Sequence, residues 1–515
     1  MSIGKTGLSD MDRTHAGTAI RLHPADNVAV AVCKLPAGTV LPNNVIAREP
    51  VPSGHKIAIA PIAPAEAVRK YGQVIGVATQ AIPEGAHVHV HNLVMSEQRA
   101  EADVQEGWRR NERPRGFRGY RRKNGRAGVR NYVGILTSVN CSATVARHIA
   151  EAAEKAGLLN GFDNVDGIVP ITHASGCGMA GEGEGFSLLR RTLWGTAANP
   201  NFGAVLLVGL GCEVLQIHRL KADYGIAGNA EFDSFTIQEV GGTRRAIREG
   251  LDRLRSLLPR VNEAKRTEMP ASELVLGLQC GGSDAWSGVT SNPALGNASD
   301  RLVSLGGTVI LSETPEIYGA EHLLYARARS PDVSAKLRAR LEWWERYTKI
   351  NGAEMNNNPS PGNKAGGLST ILEKSLGAVA KGGTSPLNDV IEYARPITER
   401  GLVFMDSPGF DPCSATGQVA SGATMIAFTT GRGSAYGCKP SPSIKLSSNS
   451  EVYARMRDDI DLDCGTIATN EATIEQKGEE ILNYLLEVAS GRKSKSEDLG
   501  YGGAEFVPWQ IGAVM

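Results

Sequence analysis

YVGILTSVNCSATVARHIAEAAEKAG, residues 132–157, decides the fold. An apolar run, YVGILTSV, meets a short polar turn at Asn140–Ser142 and passes into a segment whose apolar residues recur at helical spacing. That is one βα unit, and the chain repeats it. Further apolar runs are GIVPITH (167–173), AVLLVGL (204–210), ELVLGLQ (273–279), TVILSE (308–313) and LVFMDS (402–407). TRRAIREGLDRLRSLL (243–258) and PDVSAKLRARLEWWERYTKI (331–350) read as amphipathic helices between them. Near-continuous apolar strands alternating with helices predict largely parallel sheets in an α/β region.

Upstream, the pattern differs. Between residues 17 and 96, short apolar runs such as NVAVAVCKL, HKIAIAPI and VIGVATQAI alternate with turn signals, which reads as a small β domain. Residues 97–119 lose apolar periodicity and become charged, so they read as an exposed linker. The first αβ catalytic domain is expected over 120–395 and a C-terminal αβ domain over 396–515, with the softer boundary after the Gly/Asn/Pro-rich stretch 351–369. The 515 residues are too many for one core, in keeping with this division.

Lys+Arg and Asp+Glu both total 55, so no global field favours a polyanion, and any pull on an anionic substrate must be local. The polar N-terminus carries no signal-peptide core and no run approaches membrane-span length, so a cytoplasmic protein is expected. Eight cysteines without a CxxC pair read as reduced thiols. No GxxxxGK[ST], and no GxGxxG between strand and helix, is present, which argues against an ordinary ATPase or dinucleotide enzyme. The arginines of WRRNERPRGFRGYRRKNGR (108–126) raise an RNA-binding alternative, but aromatic platforms are sparse there and a charged run is ordinarily just solvated.

The chemistry collects where strands end. Cys141, Cys177, Cys212 and Cys280 each close an apolar run, accompanied by His173, Glu213, Ser283, Asp284 and Glu313. Ligands of open parallel sheets bind beyond the carboxyl ends of the strands, so four distant thiols are expected to converge on one crevice. A single Cys after a buried strand is ordinarily an apolar filler; four in equivalent positions point to a metal site of Cys141, Cys177, Cys212, Cys280, His173 and Glu213, as individual ligands or around an iron–sulfur cluster. In the small domain, His23, Asp26 and Asn27 (RLHPADN) and His55 and Lys56 (GHK) fall at strand edges and are candidates for acid, base or binding roles. His87, His89 and His91 alternate, which points all three imidazoles to one face, of a metal-binding strand or more simply a solvated edge strand. Ser360, Asn363 and Lys364 in NPSPGNKAGG, and Arg432 in TTGRGSAYG, offer amides and cations suited to a carboxylate.

GYRRKNGRAGVRN (119–131), GLGCE (209–213), QCGGSDAWSGVTSNPALG (279–296), NPSPGNKAGG (358–367) and TTGRGSAYG (429–437) together resemble the altronate and galactarate dehydratase family over nearly the whole chain. The resemblance implies an N-terminal β-clip domain of the SAF type, a larger αβ catalytic region, and iron dependence, with Fe2+ expected and an iron–sulfur cluster as the alternative. HVHVHN and IYGAEHLL look more like altronate dehydratase, QVASGATMIAFTTGRG and GTIATNEATIE more like galactarate dehydratase. The family also includes sulfolactate sulfo-lyases, which divide these regions between two chains; one chain here argues for a sugar-acid substrate. Dehydration of a 2,3-dihydroxy acid needs α-proton removal and loss of the β-hydroxyl. For the proton transfers the expectation is His23, His55 and Lys364; for holding the substrate it is Asn27, Lys56, Ser283, Asp284, Ser360, Asn363 and Arg432. The small domain is expected to cap the crevice. Exposed β edges make a homodimer plausible. A non-catalytic sugar-acid sensor stands as the remaining alternative.

Overall fold

A computed structural model describes residues 17–96, 107–224 and 231–512. The reading of the extreme N-terminus, and the first ten residues of the charged linker, lie outside the described residues. The N-terminal part is two small antiparallel sheets. One joins β1 (Ala19–Ile20), β2 (Val28–Ala31), β3 (Lys56–Ala58) and β6 (His87–Val88); the other joins β4 (Ala67–Lys70), β5 (Gln73–Ala78) and β7 (Leu93–Val94).

The charged stretch is not a free linker over its described length. Arg110 and Arg301 pair with Glu112, and Arg115 and Arg301 with Glu479, so residues 108–115 lie against the C-terminal part. A strand, β8 (Gly116–Arg121), then begins inside the predicted linker and pairs with β9 (Ala127–Gly128). Further along, the guanidinium of Arg130 is buried against Glu497, and that of Arg122 donates to the Pro200 and Arg130 carbonyls. These guanidinium groups serve internal contacts, which weakens the RNA-binding alternative.

The second region is a parallel sheet of β10 (Tyr132–Thr137), β11 (Gly167–Ile171), β12 (Phe202–Gly209) and β13 (Glu231–Thr236), in the order β11-β10-β12-β13. Every residue of β10 and β12 is buried, as expected for strands covered on both faces. The helices are α1 (Ala143–Lys155), α2 (Glu184–Ala197), α3 (Ile217–Tyr224) and α4 (Thr243–Asn262). On α4 the buried positions Ala246, Gly250, Leu254, Leu257, Leu258 and Val261 form one stripe. A Cβ at Gly250 would stand 2.5 Å from Ile149 of α1, so glycine sets how closely the two helices pack. β14 (Arg266–Pro270) returns to pair with β8.

The third region is one seven-stranded parallel sheet: β15 (Val275–Cys280), β16 (Thr308–Ser312), β17 (Leu387–Ile391), β18 (Gly401–Met405), β19 (Met425–Thr430), β20 (Ser443–Ser447) and β21 (Leu462–Asp463), ordered β17-β18-β16-β15-β19-β20-β21. The boundary expected near residue 395 falls inside this sheet, between the neighbours β17 and β18. The glycine- and proline-rich stretch before it signals loops rather than a change of core. Its helices include α5 (Ser291–Ser304), the short α6 (His322–Tyr325), α7 (Pro331–Ile350), the short α8 (Pro361–Ala365), α9 (Ile371–Ala380), α10 (Asp411–Ser421), α11 (Ser450–Arg455) and α12 (Ile474–Ala489). α7 spans the predicted segment, started by Ser330, whose side chain accepts from Val333 N, and by Pro331 in the first turn. The six strands read from the sequence are β10, β11, β12, β15, β16 and β18. The fold is thus α/β with a small N-terminal β domain. No helix among the described residues is long and apolar enough to cross a membrane.

Both parallel sheets reverse their direction of growth once. In the second region the chain runs from β10 outward to β11, then crosses to β12; in the third it builds β16, β17 and β18 on one side of β15 and β19, β20 and β21 on the other. Each reversal leaves a crevice beyond the strand ends. There are therefore two crevices, and the cysteines are divided between them.

Candidate functional site

The crevice of the third region has a buried polar floor. Cys280 ends β15, and Glu313 follows β16 in a left-handed backbone conformation, φ 73° and ψ 68°. That conformation is unusual for a residue with a Cβ and is characteristic of functional sites. Glu316 sits in the next turn, and α9 places Lys374 and, at its end, Lys381 over the same point. Lys381 Nζ donates to Cys280 Sγ at 2.8 Å and lies 3.6 Å from Glu313 Oε2. Glu316 Oε1 accepts from Lys374 Nζ at 2.7 Å and from Asn358 Nδ2 at 2.9 Å. Asp411, the first residue of α10, closes over the backbone at Gly281.

Burial dominates the electrostatics here. It pushes the Cys280 thiol up to about 11, against the pull of Lys381. Burial and the neighbouring Glu316 charge raise Glu313 well above the carboxylate range. The same two causes raise Asp411 to about 7. Burial opposes the charge on Lys381, and Cys280 and Glu313 favour it to the extent that they are ionised beside it. The floor therefore combines a carboxyl whose charge burial disfavours, a carboxyl poised near neutrality and two lysines, groups of the kind proton transfer requires.

Ligand atoms of Cys280, Glu313 and Glu316 lie within 4.8 Å of one another, and both Glu313 carboxylate oxygens are buried without a hydrogen-bond partner. One thiol with two carboxylates is a donor set that fits a divalent first-row cation, and binding of such an ion would release the protons of Cys280 and Glu313.

Loops from neighbouring strand ends form the rim. Asp284 accepts from Ser287, from Ser448 Oγ at 2.8 Å and from Asn449 Nδ2 at 3.0 Å. Asn363 Nδ2 donates to Ser283 O at 2.8 Å, while Ser360 and Asn363 cap α8 reciprocally. Arg432 is exposed at the mouth, its backbone N bound to Gly282 O. Lys364 is half-buried on α8. So the predicted residues Ser283, Asp284, Ser360, Asn363, Lys364 and Arg432 do share one loop cluster. Asp284, Ser360 and Asn363 spend their side chains on holding it together, which makes them positioning residues.

The small domain docks beside this rim. His55 Nδ1 is 3.0 Å from His87 Nε2, and His55 Nε2 is 3.3 Å from Ala365 O. His89 lies edge-on to His55 at 4.8 Å between ring centroids, and His91 is 5.3 Å from His87. The alternating histidines do face one another, with His55 added from the turn before β3. Burial, then the neighbouring imidazoles, lowers His87 to about 3; burial, then Lys56, lowers His89 to about 4, so both rings are neutral at pH 7.

Other expectations are corrected. Lys56 is fully buried and donates to Glu373 Oε2 and Gly367 O, both at 2.8 Å, with Lys70 on the other carboxylate oxygen at 2.9 Å. It fastens two domains rather than meeting substrate. Asn27 bridges Ala67 O and Arg69 N within the small domain. His23 accepts from Ala25 N and faces the Tyr71–Gly72 turn, apart from the imidazole group. Cys141, Cys177 and Cys212 follow strands of the second region, whereas Cys280 belongs to the third, so the four do not make one ligand set. His173 donates to Thr137 O from Nε2 and accepts from Ser175 N at Nδ1, leaving no nitrogen for a metal. Glu213 accepts from Ser138 Oγ, Leu210 N and Gly211 N, and is likewise a brace.

Glu316, Lys374, Lys381 and Asp411 were missed. A signal existed in ILEKSLGAVAKGG (371–383), where Glu373 and Lys374, and Lys381 seven residues after the lysine, stand in a largely apolar helical segment. Charges there have to be paired in the interior.

The family models match in three consecutive blocks: Altronate/galactarate dehydratase SAF domain over residues 17–96, D-galactarate dehydratase/Altronate hydrolase, second domain, over 119–262, and D-galactarate/Altronate dehydratase, C-terminal, over 271–514. The chain is 38% identical to the galactarate dehydratase (L-threo-forming) of Escherichia coli (strain K12) over 499 residues, covering 93% of this chain and 94% of that one. It is 34% identical to the altronate dehydratase of Bacillus subtilis (strain 168), covering 92% and 95%, and 35% identical to that of Escherichia coli (strain K12), covering 93% and 96%. With all three blocks in order and both crevices within them, the chain belongs to the galactarate/altronate dehydratase family of sugar-acid hydro-lyases.

Proposed function

We propose that this protein dehydrates a hexose-derived sugar acid of the galactarate or altronate kind to a 2-keto-3-deoxy sugar acid in the crevice of the third region. The observation that carries the reading is Glu313: a strained, buried carboxyl without a hydrogen-bond partner, beside Cys280, Glu316 and two lysines at the sheet's reversal point.

In this reading the carboxylate of the substrate is met at the mouth by Arg432 and Lys364, and the loop cluster around Asp284 fixes their spacing. Asp411, with its pKa near neutrality, takes the α-proton. Lys374 and Lys381 face the negative charge that develops on the enolate oxygens. The proton that Asp411 takes up is then passed to the departing β-hydroxyl, which leaves as water and returns Asp411 to its ionised form. A divalent iron held by Cys280, Glu313 and Glu316 would supply Lewis-acid polarisation of the substrate oxygens. Asn358 and the segment at Gly409 lie on Glu316, so entry of the substrate has to displace them.

The test is a panel of aldonic and aldaric acids offered to the protein with ferrous iron under reducing conditions, read as keto-acid formation. Galactarate or altronate should turn over, and Glu313→Gln should lower kcat by about 10²–10⁴-fold with the fold intact. Sulfite release from sulfolactate, binding without turnover, or full activity in the Glu313→Gln variant would each overturn the assignment.

A further inference from the structure

The second crevice has no part in the chemistry above, yet it carries three thiols. Cys141 follows β10, Cys177 follows β11 and Cys212 follows β12, three adjacent parallel strands ending on the same side. All three residues are exposed and free, unlike Cys280, Cys413, Cys438 and Cys464, which are buried.

The loops that bear them touch. Asn140 N donates to Ser175 O at 2.9 Å, and Asn140 Nδ2 to His173 O at 3.3 Å, joining the Cys141 loop to the Cys177 loop. A Cβ on Gly176 would stand 2.4 Å from Ser138 O, so glycine is needed for that approach; its φ of 101° asks for glycine as well. Ser138 Oγ donates to Glu213 Oε1 at 2.5 Å, joining the Cys212 loop to the same point. Each cysteine is thus the immediate neighbour of a residue in a contact centred on Ser138–Asn140. Glu213 and His173, fully hydrogen-bonded, brace these loops from behind. The arrangement sits where the order β11-β10-β12-β13 reverses, the position at which such sheets bind ligands.

We infer that Cys141, Cys177 and Cys212 hold an iron–sulfur cluster through three thiolates, leaving one iron without a protein thiolate. A single ion draws its thiolates tightly around itself, with Zn–S of about 2.3 Å. The three sulfurs do not form such a knot: among the described residues the group of three ligands within 4.8 Å is Cys280, Glu313 and Glu316. A cluster core holds its thiolates farther apart, and thiolates are the ligands it takes. Assembly from two ferrous ions, two ferric ions and four sulfides gives the resting core with no further redox partner, and the three thiols give up their protons as the iron–sulfur bonds form. The iron that lacks a thiolate is open to an oxygen ligand from solvent or a small hydroxy acid.

The full-length chain, reconstituted without oxygen from equal ferrous and ferric iron and sulfide, then desalted, should carry about four irons and four sulfides. It should show the broad visible absorption of sulfide-to-iron charge transfer. Cys141→Ser, Cys177→Ser and Cys212→Ser should each lose most of that absorption while melting like the metal-free wild type; Cys33→Ser and Cys280→Ser should keep it. One iron without acid-labile sulfide, or absorption retained in the triple serine variant, would overturn the inference. Because the readout is sulfide and absorption, this result is separate from whether Glu313 dehydrates a sugar acid.

Discussion

Asp411 shows how a catalytic arrangement competes with stability at a single residue. In the folded protein its carboxyl titrates near 7, against 3.8 for an unhindered aspartate, because burial and Glu316 disfavour the charge. Between those two values the folded state binds the proton more tightly than the unfolded state does. Stability therefore falls as pH rises through that window, and the cost is complete above about pH 7. Asp411→Asn removes the titration. Its melting temperature should match the wild type near pH 4 and exceed it by a few degrees at pH 8, while turnover collapses. Thermal melting across that range checks this, and a gap that fails to widen with pH would show that the carboxyl is not held protonated. Glu313 belongs to the same class: the strained backbone and the unpartnered carboxyl are costs that packing does not require.

Among the elements, α9 carries the most consequence, because Glu373 in its first turn anchors the small domain while Lys374 beside it and Lys381 at its end reach the catalytic floor. Glu373 is buried between Lys56 and Lys70; burial would raise it, but the two ammonium groups outweigh that and keep the carboxyl ionised. Such a depressed carboxylate stabilises the fold above the unfolded value of 4.5, and the contribution is lost as the pH falls below it. Glu373→Gln leaves two buried cations sharing a neutral amide, a change of the kind that costs about 3–5 kcal/mol. Denaturant unfolding should report the loss at pH 7 and a smaller difference near pH 3, where the unfolded state has taken up its proton but the folded carboxylate has not. α9 also shows what the sequence conceals. Apolar runs such as AVLLVGL and ELVLGLQ identify their strands because burial on both faces leaves a continuous signature. The loop around Ser283 and Asp284 was legible for the same reason, since topology fixes where strand ends go, whereas Asn363 and Arg432 were read from the amides and cation of their glycine-rich loops. Lys374 and Lys381 were not, because pairing across three elements decides whether a charge in an apolar helix is tolerated, and pairing has no local signature. Lys56 misled in the opposite way. Beside His55 it looks like chemistry, and only the position of Glu373, more than three hundred residues later, shows it to be a fastening.

At the scale of the molecule, the small domain is built in rather than laid on. Its residues Val28, Ala58, Ile62, Val68 and Ile75 belong to one hydrophobic core with Leu276, Leu295, Leu376 and Leu402 of the third region, whereas the second region keeps its own cores on the two faces of its sheet. A lid that swings open would have to break that shared core and draw Lys56 and Lys70 away from Glu373, which would remain buried as an unpaired anion. Movement in this protein is therefore expected in the loops at Asn358 and Gly409, not in the whole domain. It follows that a chain beginning at residue 107 should be recovered as aggregate, since it exposes the face of α9 and the apolar surface that β3 and β5 cover. A Lys56→Met, Lys70→Met, Glu373→Leu chain, which replaces the fastening by apolar contact, should keep the domains docked and fold. Size-exclusion chromatography with limited proteolysis distinguishes the cases. If the truncated chain emerges monomeric, with the protease resistance of the intact protein, the small domain is a detachable cap after all and the rim histidines are free to leave the crevice with it.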